Sequence, residues 1–149
     1  MTDYYAPQGG LPPQTALLSG KAIFTEAYAV IPKGVLTDIV TSYLPGWTKT
    51  RAWILARPMS GFAETFSQMI VEISPGGGSD APEPDKRVEC VLLVVEVTLD
   101  LTNGGDRGRL AAAGYAYLPP GKEWTVGNSS MSPVTIHLIR KSYEKSPGI

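Results

Sequence analysis

The sequence predicts a single all-β domain, a barrel or sandwich of short antiparallel strands. Three observations carry this. The 149 residues include 16 glycines and 13 prolines, a share above the roughly 12% of average usage, and so many breakers leave little room for long helices. Apolar residues recur at the strand period, and nowhere does an apolar 3.6 period run for three turns. Turn signals separate the apolar runs at short intervals, which is the pattern of a sandwich or barrel.

In chain order, residues 1–20 are rich in Pro, Gly and Gln without any period and read as a flexible arm, with residues 21–149 as one domain. A strand is expected over Ala22–Val30, broken by Pro32-Lys33-Gly34, and a second over Val35–Tyr43. Pro45-Gly46 turns the chain into Arg51–Ala56. Phe66–Ile73 is strand-like, and Pro75-Gly76-Gly77-Gly78 is expected to end it. The strongest signal follows, where Val91, Leu93, Val95, Val97 and Leu99 alternate with Leu92, Val94, Glu96, Thr98 and Asp100. Asn103-Gly104 signals a two-residue type I′ hairpin, because both central residues of that turn need positive φ. Leu110–Leu118 is expected as the return path, closed by Pro119-Pro120-Gly121. A last strand, Pro133–Arg140, sets Val134, Ile136 and Leu138 on one face and Thr135, His137 and Ile139 on the other.

Composition also excludes whole classes of function. The net charge is −1, from 13 basic and 14 acidic residues, and the basic residues are scattered. Phosphate binding rests on clustered Lys and Arg, so no nucleic-acid partner is expected. Cys90 is the only cysteine and has no internal disulfide partner, and no CxxC offers a zinc site. The longest purely apolar run, Cys90–Val95, falls far short of the roughly 20 residues of a membrane-spanning helix. Met1-Thr2-Asp3-Tyr4-Tyr5 shows no signal-peptide pattern, so no membrane partner and a cytoplasmic location are expected.

The segment Ala113 to Gly121, followed by Asn128, resembles the second conserved motif of the cupins. Pro119, Gly121 and Asn128 fall on its Pro, Gly and Asn, while Ala113 replaces its Gly and Trp124 its metal-binding His. The first cupin motif, laid on this chain, puts Pro84 and Lys86 at its two His, Cys90 at its metal-binding Glu and Val97 at its closing Gly. Leu11–Gln14, the turn Leu44–Trp47, Gly61–Gln68 and Gly114–Gly121 together look like the N-terminal half of a ureidoglycine aminohydrolase. The resemblance covers Leu11 to Tyr143. It implies an antiparallel cupin barrel of jelly-roll type from a family of two-cupin proteins acting in allantoin breakdown. These release ammonia from (S)-ureidoglycine, using manganese held by the C-terminal cupin. It further implies that this chain holds no metal and no catalytic residue of its own, and that it packs against a second cupin domain or forms a homodimer.

Residue by residue, a metal site needs several nitrogen or oxygen ligands converging in the barrel. The only histidine, His137, lies away from both motifs and reads as a strand residue. Glu83, Asp85 and Glu89 stand where the first motif's ligands belong; they read as a solvated loop neutralised by Lys86 and Arg87, with an all-oxygen magnesium or manganese site as the alternative. Cys90 reads as a small buried residue, since no base is placed to make a thiolate. Trp124 reads as a plug of the barrel mouth, and alternatively as a stacking surface for a planar ureido compound. Cys90 and Trp124 are thus the candidate pocket-lining pair. Gly76-Gly77-Gly78 has no following Lys-Ser/Thr and reads as a loop, not a phosphate cradle. Val97 and Ala113 stand where glycine usually supplies positive φ, so either the turns differ here or both residues are strained.

Overall fold

The computed structural model describes residues 23–24, 29–30, 42–56 and 66–148. They belong to two compact units, Met1–Val40 and Thr41–Ile149. The arm expected over residues 1–20 and most of the strand expected over Val35–Tyr43 lie outside the described residues. In the first unit, β1 (Ile23–Phe24) pairs antiparallel with β2 (Ala29–Val30), Ile23 opposite Val30. In place of the single strand expected over Ala22–Val30, the described residues there form two short antiparallel strands.

The second unit comprises β3 (Thr48–Ala56), β4 (Phe66–Ser79), β5 (Val88–Glu96), β6 (Leu99–Asn103), β7 (Asp106–Leu110), β8 (Tyr115–Leu118), β9 (Trp124–Gly127) and β10 (Val134–Ser142). The strand order is β7-β6-β9-β4-β10-β5-β8, with β3 added on β4, and every pairing is antiparallel. The sheet curls into a nearly closed barrel, and the described residues contain no helix. None of its elements is a helix long and apolar enough to cross a membrane.

Alternation writes the core. Val71 and Ile73, Cys90, Leu92 and Val94, Leu99, and Val134, Ile136 and Leu138 are all buried, one residue in two along their strands. Burying each large aliphatic side chain contributes about 1.5–3 kcal/mol, which is what drives the closure. Asn128 holds one end of the barrel together from a position only 3% exposed. Its Nδ2 donates to the carbonyls of Ile73 and Ser132, both at 2.8 Å, and its Oδ1 accepts from the Ser130 amide at 2.9 Å and hydroxyl at 2.6 Å. A buried amide with its capacity met in this way ties β4 to the loop before β10.

Four further expectations are corrected in the second unit. First, β4 does not stop at Pro75 but runs to Ser79, because Gly76 (φ 77°) and Gly78 (φ 146°) bend the strand instead of ending it. Its first half pairs with β10 and β3, β3 meets it again at Gly78 through Thr48, and Gly78–Ser79 also pair with β9. Secondly, the alternating run is two strands. Val97 takes φ 72°, and the inward set shifts from Cys90, Leu92 and Val94 to Leu99 and Leu101. The conformational break moves the inward phase by one residue. Thirdly, the hairpin turns on Gly104-Gly105 (φ 60° and 97°), with Asn103 paired to Asp106. Two glycines meet the positive-φ demand at lower steric cost than Asn103. Fourthly, Leu110–Leu118 is not one return strand. β7 returns along β6, the chain turns at residues 111–114, and β8 joins β5. β9, with Trp124 and Val126 inward, was not expected as a strand.

Candidate functional site: the barrel mouth

The positions that carry metal in a cupin fall in two places. Pro84 and Lys86 lie in the loop between β4 and β5, both exposed; Cys90 is on β5 and Trp124 opens β9, both in the core. Pro84, Lys86 and Trp124 line a cleft of about 460 Å³, with Pro82, Glu83 and Lys122 among its other walls. Cys90 is 2% exposed and does not line that cleft; it borders a separate groove with Tyr115, Tyr117 and Ile139. The structure therefore separates the two side chains expected to share the mouth. Cys90 is packed among aliphatic neighbours, on a different strand from Trp124.

The acidic set is dispersed as well. Glu83 receives a two-pronged ion pair from Arg140, Nε to Oε2 at 2.6 Å and Nη2 to Oε1 at 2.8 Å. Its Oε1 also accepts the Asp85 amide at 3.1 Å, and its side chain is only 5% exposed. Asp85 is held by Arg87 through both guanidinium prongs, at 3.0 and 2.9 Å, and through the Arg87 amide at 2.9 Å. The Arg87 hydrogen bond holds its carboxyl down at about 2. Glu89 accepts the Tyr117 hydroxyl at 2.7 Å, and that bond, first among the causes, pushes the phenol up to about 12. Among the described residues, no three His, Cys, Asp or Glu side chains converge on a point.

Arg140 is the residue that reading the sequence missed. Glu83 was assigned to local neutralisation by Lys86 and Arg87, but its cation comes from the far end of β10. The signal was present in the alternation: Val134, Ile136 and Leu138 face inward, and Arg140 is the next residue in phase. Arg140 lies opposite Cys90 in the β10–β5 register, so the guanidinium and the thiol leave the sheet on the same side. A charge directed inward needs a buried partner.

Manganese does not fit the side chains at the motif positions. It favours carboxylate, carbonyl, imidazole and water oxygen or nitrogen donors. Pro84 offers no side-chain donor, Lys86 is a cation, and the Trp124 indole N–H has no free lone pair. Burial, with the Glu83 carboxylate adding to it, pushes the Cys90 thiol up to about 12, so it stays protonated. His137 stands elsewhere on β10, where the Gln68 amide donates to its Nε2 at 2.7 Å and burial lowers its pKa. With the ring accepting there, its proton sits on Nδ1.

Comparison with known proteins places this barrel. No protein-family model matches the chain. It is 27% identical over 129 residues to (S)-ureidoglycine aminohydrolase of Escherichia coli (strain K12), covering 85% of this chain and 47% of that protein. A "glyoxylate induced protein" of Pseudomonas aeruginosa is 54% identical, with a TM-score of 0.79, over 100% of this chain and 54% of that one. Protein Ylba of E. coli is 25% identical with a TM-score of 0.75, over 92% of this chain and 55% of that one. A Cupin 2 barrel protein from Salinispora arenicola, 21% identical with a TM-score of 0.57, covers 67% of this chain and shares the fold. The chain spans about half the length of the first three. It is a cupin domain related to (S)-ureidoglycine aminohydrolase.

Proposed function

We propose that this chain is the non-catalytic, N-terminal cupin half of a ureidoglycine aminohydrolase-like protein acting in the cytoplasm on the allantoin pathway. Its role is that of a scaffold that packs against a catalytic cupin, while the chemistry (ammonia release from (S)-ureidoglycine) belongs to the manganese-bearing partner. The observation that supports this most is the donor chemistry at the mouth. A proline, an ammonium, a protonated thiol and an indole stand at the ligand positions, and the nearest buried carboxylate, Glu83, is neutralised by Arg140. A buried carboxylate neutralised by a guanidinium and holding three hydrogen bonds acts as a structural strut.

The test is ammonia release from (S)-ureidoglycine by the purified chain, with manganese and with a chelator, after subtraction of spontaneous decay. No metal-dependent excess is expected, and equilibrium dialysis should find no stoichiometric manganese. A clear excess with bound manganese would overturn the scaffold role. The cleft of about 460 Å³ beside Trp124 favours a second reading, a binding site for a small ureido compound. A rise in Tm with such a compound, lost in Trp124→Leu, would establish it.

A further inference from the structure

We propose that the outer face of β5, β8 and β10 is a docking surface for a second copy of this chain, an inference that rests on the scaffold reading above. An antiparallel sheet with one solvated face is polar on that face. Here it is not. Leu93, Val95, Tyr115 and Tyr117 are 38%, 46%, 60% and 45% exposed. Three of them are neighbours in register, because Tyr115, Leu93 and His137 form one row across the three strands, and Tyr117, Val91 and Ile139 form the next; Val95 follows Leu93 on β5 at the register shift. Single exposed apolar residues are ordinary, whereas a patch continuous over three strands marks an interaction site. Along the second row, from Tyr115 to Lys141, runs a shallow groove of about 560 Å³.

Two further features select the occupant. The Tyr117 hydroxyl donates to Glu89 at 2.7 Å, so one of the two exposed rings is held in place before any encounter, which lowers the ordering cost of docking. At the rim, Glu89 lies opposite Lys141 in the β5–β10 register. One charge of each sign side by side suits neither an acidic nor a basic partner. It suits the same patch turned over, since a two-fold axis brings Lys141 of one copy to Glu89 of the other.

The test is the solution mass of the whole chain by light scattering and sedimentation velocity. The wild type should run at twice the single-chain mass of 15.9 kDa, and Leu93→Glu/Tyr115→Glu should fall twofold to that mass with its circular dichroism unchanged. Arg107→Glu, on β7, should leave the dimer intact. Should the double variant fail to fold, Tyr115→Cys supplies a second readout, because Cys90 is buried and stays silent towards maleimides. A bifunctional maleimide should link Tyr115→Cys chains into dimers and leave Arg107→Cys chains single. A monomeric wild type overturns the docking surface while leaving the scaffold reading to the manganese test. A dimer indifferent to Leu93→Glu/Tyr115→Glu overturns the choice of face. A monomer with Tyr115→Cys shielded from maleimide gives the face to another segment of the chain, and also overturns the proposal.

Discussion

Ala113 and Val97 are in the left-handed region, with φ of 68° and 72°, at the two positions where the cupin motifs carry glycine. A non-glycine residue there costs roughly 1–2 kcal/mol. Ala113 is exposed, so Ala113→Gly removes that strain and loses almost no packing; the entropy of the freer unfolded chain takes back about 0.4–1 kcal/mol. Urea unfolding should show a net gain of roughly 0.5–1 kcal/mol. Val97 is partly buried against the core, so Val97→Gly loses packing as well as strain, and its change should lie within roughly 1 kcal/mol of zero. Arg140 stands on the opposite side of the ledger. Removing it as Arg140→Met leaves the Glu83 carboxylate, 5% exposed, without its cation. Breaking a fully buried pair costs about 3–5 kcal/mol. Arg140 is 35% exposed and partly screened, so a loss of about 2 kcal/mol is expected in chemical denaturation, partly recovered in the double variant with Glu83→Gln.

Among the elements, β4 shows how much a single glycine decides. Gly78 sits at φ 146° where β4, having left β10, is flanked by Thr48 of β3 and Gly127 of β9. A Cβ there would run into the carbonyl oxygen of Val126 on β9, backbone that cannot swing aside. Gly78→Ala is therefore expected to destabilise by on the order of 3 kcal/mol, read as a lower urea midpoint, with the β4–β9 amides losing hydrogen-exchange protection first. Gly105→Ala offers the comparison, since its Cβ would meet open space and only its φ of 97° is strained. It should cost less. The same reasoning explains why a Pro-Gly-Gly-Gly stretch, read locally as a strand end, continues a strand. Glycine is compatible with a bend as well as a stop, and only the β9 neighbour selects between them.

For the whole molecule, the pH dependence of stability follows from groups whose titration differs between folded and unfolded chains. His137 has its pKa lowered by burial. The unfolded chain therefore binds the proton more readily, and the stability present above the unfolded value near 6.5 is lost as the pH falls through the folded value. Asp85, held at about 2 by Arg87, contributes stability above its ordinary value near 3.8 that disappears only towards pH 2. The urea midpoint of the wild type should thus fall between pH 7.5 and pH 5. His137→Gln should flatten that fall, since Gln cannot gain a proton. An unchanged slope in His137→Gln would remove the histidine from this account.

The inward phase of β5 was not legible locally: alternation sets Val91, Leu93 and Val95 in one row with Leu99, whereas the barrel buries Cys90, Leu92 and Val94 and leaves Leu93 and Val95 outside. The all-β class, the inward face of β10 and the lack of histidine and carboxylate at the motif positions were determined by the sequence itself. Each follows from residue type and spacing: breakers exclude helices, alternation fixes which side of a strand is buried, and a proline or an indole cannot coordinate a metal. The tertiary structure decided the rest. The split at Val97, the passage of β4 onto β9 and the pairing of β8 with β5 depend on strands distant in the chain. So does the Glu83–Arg140 pair, whose partners are 57 residues apart, and so does the separation of Cys90 from the Trp124 cleft. Local propensity sets the conformations a segment can adopt, and the neighbour that closes each hydrogen-bonded row or buried charge selects among them.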